Sequence, residues 1–142
     1  MIILDTNVLS ALMRQVPEMP VVRWLDNQSA DSIWISSITL FEVRLGLAFL
    51  PKGRRRQALE TAFERLLTED LEDRVLAFDT AAATQASSLA AERQKADRPV
   101  VFRDTQIAGI ALSRRATLAT RNARHFHDLR IPVVDPWLAH AR

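Results

Sequence analysis

Cysteine and tyrosine are both absent from this chain of 142 residues. The first absence excludes disulfides and any metal site built on thiolates. The second, with aromatics at only 6%, leaves little material for a broad surface on which nucleic-acid bases could stack. Glycine occurs three times, and the abundant Ala, Leu and Arg favour helices. No apolar run approaches the roughly 20 residues that a membrane span requires. The N-terminus has no basic region before its apolar stretch, and Asp5 interrupts that stretch, so a secretory signal is not expected. These features fit the cytoplasm as the expected location. What is present, 48% apolar and 25% charged residues, is ordinary for a folded domain with an adequate core, and residues 1–142 read as a single domain.

The net charge is only +2, yet it is unevenly spread. Residues 98–142 hold eight basic and three acidic side chains, against eleven and fourteen in residues 1–97. A basic C-terminal third can attract a polyanion or be a solvated arginine-rich surface.

Met1-Ile2-Ile3-Leu4 reads as a buried central strand, and Asp5 follows at once. Ligands of open α/β sheets sit beyond the carboxyl ends of such strands, so Asp5 stands where chemistry is expected. Thr6 to about Met13 and Val21 to about Asn27 read as short helices. Ile33-Trp34-Ile35 is a second strand, and Ser36 or Ser37 can cap the helix carrying Glu42. Pro51-Lys52-Gly53 breaks the chain before a long helix from Arg54 to about Leu71. A third strand spans Val75 to Phe78. Asp79 is placed to cap the Ala-rich helix running to about Lys95. Val101 to about Arg114 is helical, Leu118-Ala119-Thr120 is a fourth strand, and Asn122 can cap a small helix. Ile131 to Val134 adds a fifth strand. Strands alternating with helices imply an α/β fold, a parallel sheet covered on both faces.

Three acids then stand out. At 100° per residue, Phe49, Ile38 and Leu45 fall about 20°, 40° and 60° from Glu42 on one side, so Glu42 projects from an apolar face. A lone carboxylate there is costly to desolvate unless paired; a metal ion would explain it, and so would a boundary position or an arginine partner. Asp104 lies within about 60° of Ala111, Ala108 and Ile107, although an acid in a first helical turn is also explained by the helix dipole. Together with Asp5, these oxygen donors suit a hard divalent cation such as Mg²⁺. They do not suit zinc, for which His125, His127 and His140 form no evident ligand set. A divalent ion among carboxylates fits phosphodiester hydrolysis.

Four segments resemble one known family. Met1-Ile-Ile-Leu-Asp5-Thr-Asn-Val-Leu looks like the opening of a PIN domain. Ser37-Ile-Thr-Leu-Phe-Glu42, Arg103-Asp104-Thr-Gln-Ile-Ala108 and Leu118-Ala-Thr-Arg-Asn122 resemble its second, third and fourth motifs, in order and across nearly the full chain. Length and motif detail are most similar to VapC-type toxins of toxin–antitoxin pairs. The resemblance implies a PIN-like three-layer α/β/α fold with four or five short parallel strands. It also implies an endoribonuclease dependent on Mg²⁺ or Mn²⁺, acting on an RNA such as tRNA or rRNA and restrained by a VapB-like antitoxin, with a homodimer and a toxin–antitoxin hetero-oligomer as the assemblies. Carried over by position, Asp5 and Asp104 are the leading metal ligands, and Glu42 completes the acidic site directly or through water. Asn122 stands where many relatives have an aspartate. An amide can orient water but supplies no charge, which leaves a second metal open. His125 stands where some relatives carry a further acid. Thr6 and Thr120 are placed to support the cluster by hydrogen bonding.

Arg121 and Arg124 adjoin the fourth motif and are the candidate RNA-binding residues; Arg114 and Arg115 are weaker ones. Such contacts would add affinity and salt sensitivity without reading sequence. Lys52-Gly53-Arg54-Arg55-Arg56 places positive charge at the start of a helix, against its dipole, so phosphates or an acidic partner are candidates for these arginines. The helices around Phe41–Leu50 and Leu59–Leu67 can supply dimer or antitoxin surface. Two alternatives are a weakly active or inactive PIN-like module that binds RNA or an antitoxin, and a haloacid-dehalogenase-like phosphatase. The second would need an aspartate at Asn7 and has no matching lysine motif.

Overall fold

The structure, a computed structural model, describes residues 1–139. Its sheet contains β1 (Ile2–Leu4), β2 (Ile33–Ser36), β3 (Val75–Leu76), β4 (Thr117–Ala119) and β5 (Val133–Val134). All pairings are parallel, in the order β3-β2-β1-β4-β5. The expected parallel α/β architecture is therefore present. Because β1 is central, the chain first builds outward through β2 and β3. It then crosses back to lay β4 and β5 on the other side. The reversal falls between β1 and β4, and such a switch point opens a crevice at the carboxyl ends of the strands. The register sets Ile3 beside Leu118 and Leu4 beside Ala119, which brings Asp5 and Thr120 out at the same end.

The period of two along a strand sends neighbouring side chains to opposite faces. Leu4 joins a core with Val8, Leu9, Val21, Trp24, Val43 and Phe63. These come from α1 (Thr6–Met13), α2 (Met19–Asp26), α3 (Ser37–Phe49) and α4 (Arg54–Arg65). Ile3 joins the other core, with Leu89, Ile107, Ile110 and Leu118, under α5 (Thr80–Lys95) and α6 (Phe102–Arg114). The result is three layers. The two helices of the second face approach closely at Gly109. A Cβ built there would lie 2.5 Å from the Ala82 carbonyl oxygen and 2.7 Å from the Ala86 Cβ.

Caps follow the sequence at two of three sites. The Ser36 hydroxyl accepts from the Thr39 amide at 3.1 Å, and Asp79 Oδ1 accepts from the Ala82 amide at 2.9 Å. Asn122 does not cap with its side chain. Its backbone (φ −96°, ψ 44°) lies outside the extended region that aims a capping group, and only a single tight turn, Ala123–His125, follows.

Three other expectations shift. The third strand stops at Leu76. The long helix after Gly53 keeps its direction but widens after Arg65 into a π-type turn over Leu66–Asp70, closed by the Leu71 amide donating to the Leu66 carbonyl at 2.8 Å. Leu67 and Leu71, four positions apart and so on one side of the chain, both enter the core. In α3 the buried stripe is Thr39, Val43 and Leu47, not the side bearing Phe49. Phe41 and Phe49 are 58% and 77% exposed, because α3 carries apolar residues around much of its circumference and these two lie off the sides that meet α1, α4, α6, β2 and β3.

Candidate active site

Asp5 leaves β1 directly into α1. Its amide donates to the Ala119 carbonyl at 2.9 Å, extending the ladder by one bond. Its side chain caps the new helix, with Oδ1 accepting from the Thr6 amide at 2.8 Å. Oδ2 accepts from the Thr120 hydroxyl at 2.7 Å and faces Asn7 Nδ2 at 3.4 Å. The residue is only 6% exposed. Burial pushes its carboxyl above the ordinary carboxylate range, and the charges of Asp104 and Glu42 push the same way. The bonds from Thr120 and Thr6 pull it back in part.

Glu42 sits on α3 at the edge of the buried stripe, about 60° from Thr39. Its Oε1 accepts from the Thr6 hydroxyl at 2.9 Å, and that hydroxyl also meets the Thr39 hydroxyl at 3.1 Å. Oε2 accepts from Arg103 Nη1 at 3.2 Å. The boundary position and the arginine partner are therefore both real. They coexist with the placement of Glu42 beside the first motif. Asp104 lies in the first turn of α6. Its carboxyl is raised by burial first and by the Glu42 charge as well, against lowering by His125 and Arg93. His125 Nδ1 stands 4.0 Å from Asp104 Oδ2.

The fold thus brings Asp5, Glu42 and Asp104, separated by up to 99 positions in sequence, within reach of one another's electric field. Among the described residues, no group of three or more acid or histidine side chains is already closed into a ligand cage. Arg103 holds Glu42, and His125 stands against Asp104. Asp5 differs from these two. Among the described residues, no cationic side chain contributes to the shift of its carboxyl. Asp5 and Asp104, in which burial and neighbouring carboxylate charge raise the proton affinity, are oxygen donors that fit a hard divalent cation, which would relieve both effects.

The fourth motif enters through its backbone. The Asn122 amide donates to the Thr120 hydroxyl at 3.1 Å, and the Arg121 amide donates to Asn7 Oδ1 at 3.2 Å. Asn122 is exposed at the rim, and among the described residues its side chain makes no hydrogen bond to hold it against the acids. Arg121 and Arg124 are both exposed beside it. Arg114 is turned to Asp79 at 3.6 Å. Arg56 has a local explanation, bonding Glu60 at 2.6 Å and the Leu50 carbonyl at 3.3 Å. His140 lies outside the described residues.

Two contributors carried no sequence signal of their own. Asn7 links the Asp5 carboxylate to the backbone of the fourth motif, and Arg103 neutralises Glu42. Their positions beside Asp5 and Asp104 were the only available pointers.

Comparison with known proteins agrees with this fold. The PIN domain family model matches residues 2–131. The plasmid stability protein StbB of Pseudomonas syringae pv. tomato is 37% identical over 98% of this chain and 100% of its own length. The VapC ribonuclease Y4jK of Sinorhizobium fredii is 34% identical over 96% of this chain and 98% of its own. Among solved structures, a chain of FitAB bound to an IR36 DNA fragment superposes with a TM-score of 0.88. It is 32% identical, with 96% of each chain covered.

Proposed function

The chain belongs to the PIN-domain family, and from that premise we propose that it is an endoribonuclease dependent on Mg²⁺ or Mn²⁺, the toxin of a VapBC-like toxin–antitoxin pair. The carrying observation is Asp5, a buried carboxylate with two further carboxylates in its field and, among the described residues, no cation shifting it. Asp5 and Asp104 would hold the ion, with Glu42 joining directly or through water once Arg103 yields. When bound, such an ion polarises the scissile phosphate and lowers the pKa of a water molecule.

The chain's own groups do the rest. Thr120 and the Thr6 amide fix the orientation of Asp5, and the Thr6 hydroxyl fixes Glu42. Asn122 is placed at the rim to orient water or a ribose or phosphate oxygen through its amide. Arg121 and Arg124 meet the RNA backbone and hold the strand across the strand ends. Attack of water on phosphorus would form the new P–O bond as the bond to the adjacent ester oxygen breaks; the water gives up a proton to solvent, and the leaving oxygen takes one from solvent.

A toxin needs a restraint. The FitAB relative is solved as a complex on DNA, and this chain would likewise pair with an antitoxin and form a homodimer. Phe41, Phe49 and Phe102 offer exposed apolar surface for such contacts. No helix among the described residues is long and apolar enough to cross a membrane, and the cytoplasm is the proposed location.

A second reading is favoured by one observation, the nitrogen-bearing side chains already at the acids. Arg103 on Glu42 and His125 beside Asp104 would suit a module that binds RNA or an antitoxin with little turnover.

The deciding experiment incubates purified protein, freed of antitoxin, with a pool of tRNA and rRNA in Mg²⁺, Mn²⁺ or EDTA, beside Asp5→Asn. Fragments that need metal and vanish in the variant are expected. Binding without fragments, from folded protein, would transfer the assignment to the second reading.

A further inference from the structure

One cationic side chain at the site has an aromatic partner in place of an acidic one. The guanidinium carbon of Arg121 lies 4.8 Å from the centroid of the Trp137 ring. Arg56, Arg93, Arg103 and Arg114 each reach a carboxylate; among the described residues Arg121 reaches none. Its own backbone is tied to the site, because its amide donates to Asn7 Oδ1, and Asn7 Nδ2 faces Asp5 Oδ2.

Trp137 is held firmly for this task. It follows β5, the neighbour of β4, in a tight turn in which its amide donates to Asp135 Oδ1 at 2.9 Å and the Leu138 amide to the Asp135 carbonyl at 3.1 Å. The ring is half-buried and packs on the core that contains Leu4 and Ala119. Its Nε1 is buried and finds no acceptor among the described residues. The indole is therefore fixed by packing, and what it offers outward is its face. A guanidinium laid on an aromatic face loses side-chain freedom yet keeps its N–H donors free at the edge, the arrangement that suits a phosphate.

We propose that Trp137 is a positioning residue that holds the Arg121 guanidinium ready, beyond the carboxyl ends of β4 and β5, to clamp a phosphate of the RNA backbone. The substrate class rests on the nuclease reading above. The Arg121–Trp137 pairing itself does not depend on metal or turnover.

The test measures binding of a fluorescein-labelled single-stranded oligoribonucleotide by the full chain in EDTA, across a series of KCl concentrations. Arg121→Met is expected to weaken binding several-fold and to reduce the slope of log affinity against log salt by about 0.7, the value for one phosphate contact on a single strand. Trp137→Leu removes no charge, yet it is expected to reproduce both changes. Trp137→Phe keeps a ring face and should stay within about twofold of wild type. The double variant should be no weaker than Arg121→Met alone.

An unchanged salt slope in Trp137→Leu, or additive losses in the double variant, would overturn the proposal. If Trp137→Leu does not fold, Arg121→Lys decides. An ammonium keeps the charge but has no plane to lay on the indole, so weaker binding is expected and wild-type binding defeats the assignment. Adding Mg²⁺ to the same proteins separates the two readings. Altered binding in the variants without wild-type cleavage removes the nuclease and leaves the clamp. Cleavage by wild type with unaltered variant binding does the reverse, and absence of wild-type binding removes the clamp.

Discussion

The hydroxyl of Thr120 donates to Asp5 Oδ2 at 2.7 Å, and that hydroxyl's own oxygen accepts from the Asn122 amide at 3.1 Å. One fully buried side chain therefore joins the first carboxylate of the site to the segment that closes it. A hydroxyl can do this because it donates and accepts at once.

Thr120→Val keeps the shape and removes both bonds. The Asp5 carboxylate then loses the contact that most lowers its proton affinity, and it competes less well for a cation against protons. Loss of such an orienting partner typically costs 10- to 100-fold in metal affinity. We expect Mn²⁺ binding, followed by titration calorimetry, to weaken by about tenfold while the circular dichroism spectrum stays native. Unaltered Mn²⁺ affinity would show that Asp5 needs no help from Thr120.

Much of this site was legible in the sequence for a local reason. A short apolar strand that ends in Asp5, and an acid in the first turn of α6, announce their positions within a few residues. Glu42 was placed at the site by a face that is not the buried one. The wheel grouped it with Phe49, which is solvent-exposed, whereas Thr39, Val43 and Leu47 face the core. It reaches the site nonetheless, because the edge of that stripe lies over the start of α1. Asn7, Arg103 and Trp137 were not legible as members of the site. Each depends on a contact with a residue far away in sequence, Arg121 for Asn7, Glu42 for Arg103 and Arg121 for Trp137, and no periodicity encodes such a pair.

Gly109 is a position where composition hid a constraint. The two helices of the second layer meet there so closely that a methyl group would lie 2.5 Å from a backbone oxygen, which cannot swing aside as a flexible side chain could. Gly109→Ala should cost about 1–3 kcal/mol despite the better helix propensity of alanine. A lowered urea midpoint with an unchanged slope is the expected reading; an unchanged midpoint would mean that α5 and α6 slide apart at little cost.

The acids of this chain contribute to stability with opposite signs. Asp128 is bound by the buried Arg93 through two bonds of 3.0 Å and by Arg98 at 2.8 Å. The Arg93 bond holds its carboxyl below the ordinary 3.8. Its stabilisation is thus fully present above 3.8 and disappears as pH falls through the lower folded value. Asp5 is raised, so the folded state binds its proton more tightly than the unfolded chain. Its ionised form opposes folding above the raised value, and that opposition is relieved as pH falls toward the ordinary one. In EDTA at pH 7, Asp128→Asn should therefore lower the melting temperature and Asp5→Asn should raise it. The Asp128→Asn deficit should shrink on acidification below 3.8. Destabilisation by both variants at pH 7 would contradict the assigned cause of the Asp5 shift.

Arg103 decides how the acidic site is kept until it is used. Its guanidinium reaches Glu42 from a position where its side chain is 55% exposed, and an exposed pair of this kind contributes at most about 1 kcal/mol to stability. Arg103→Met should therefore leave the melting temperature nearly unchanged. Its effect should fall on the ion instead, because Glu42 becomes free to serve a cation without first releasing an arginine. Removing a competing positive charge from beside three carboxylates also deepens their negative potential. The Mg²⁺ concentration for half-maximal RNA cleavage should fall by several-fold. If more Mg²⁺ is required instead, Arg103 does not compete with the ion but aligns Glu42 for it, and the arginine belongs with Thr6 among the groups that orient the site. Repeating the titration at two KCl concentrations separates either outcome from lost RNA contact, since loss of a phosphate contact lowers the salt slope of the Michaelis constant by about 0.7.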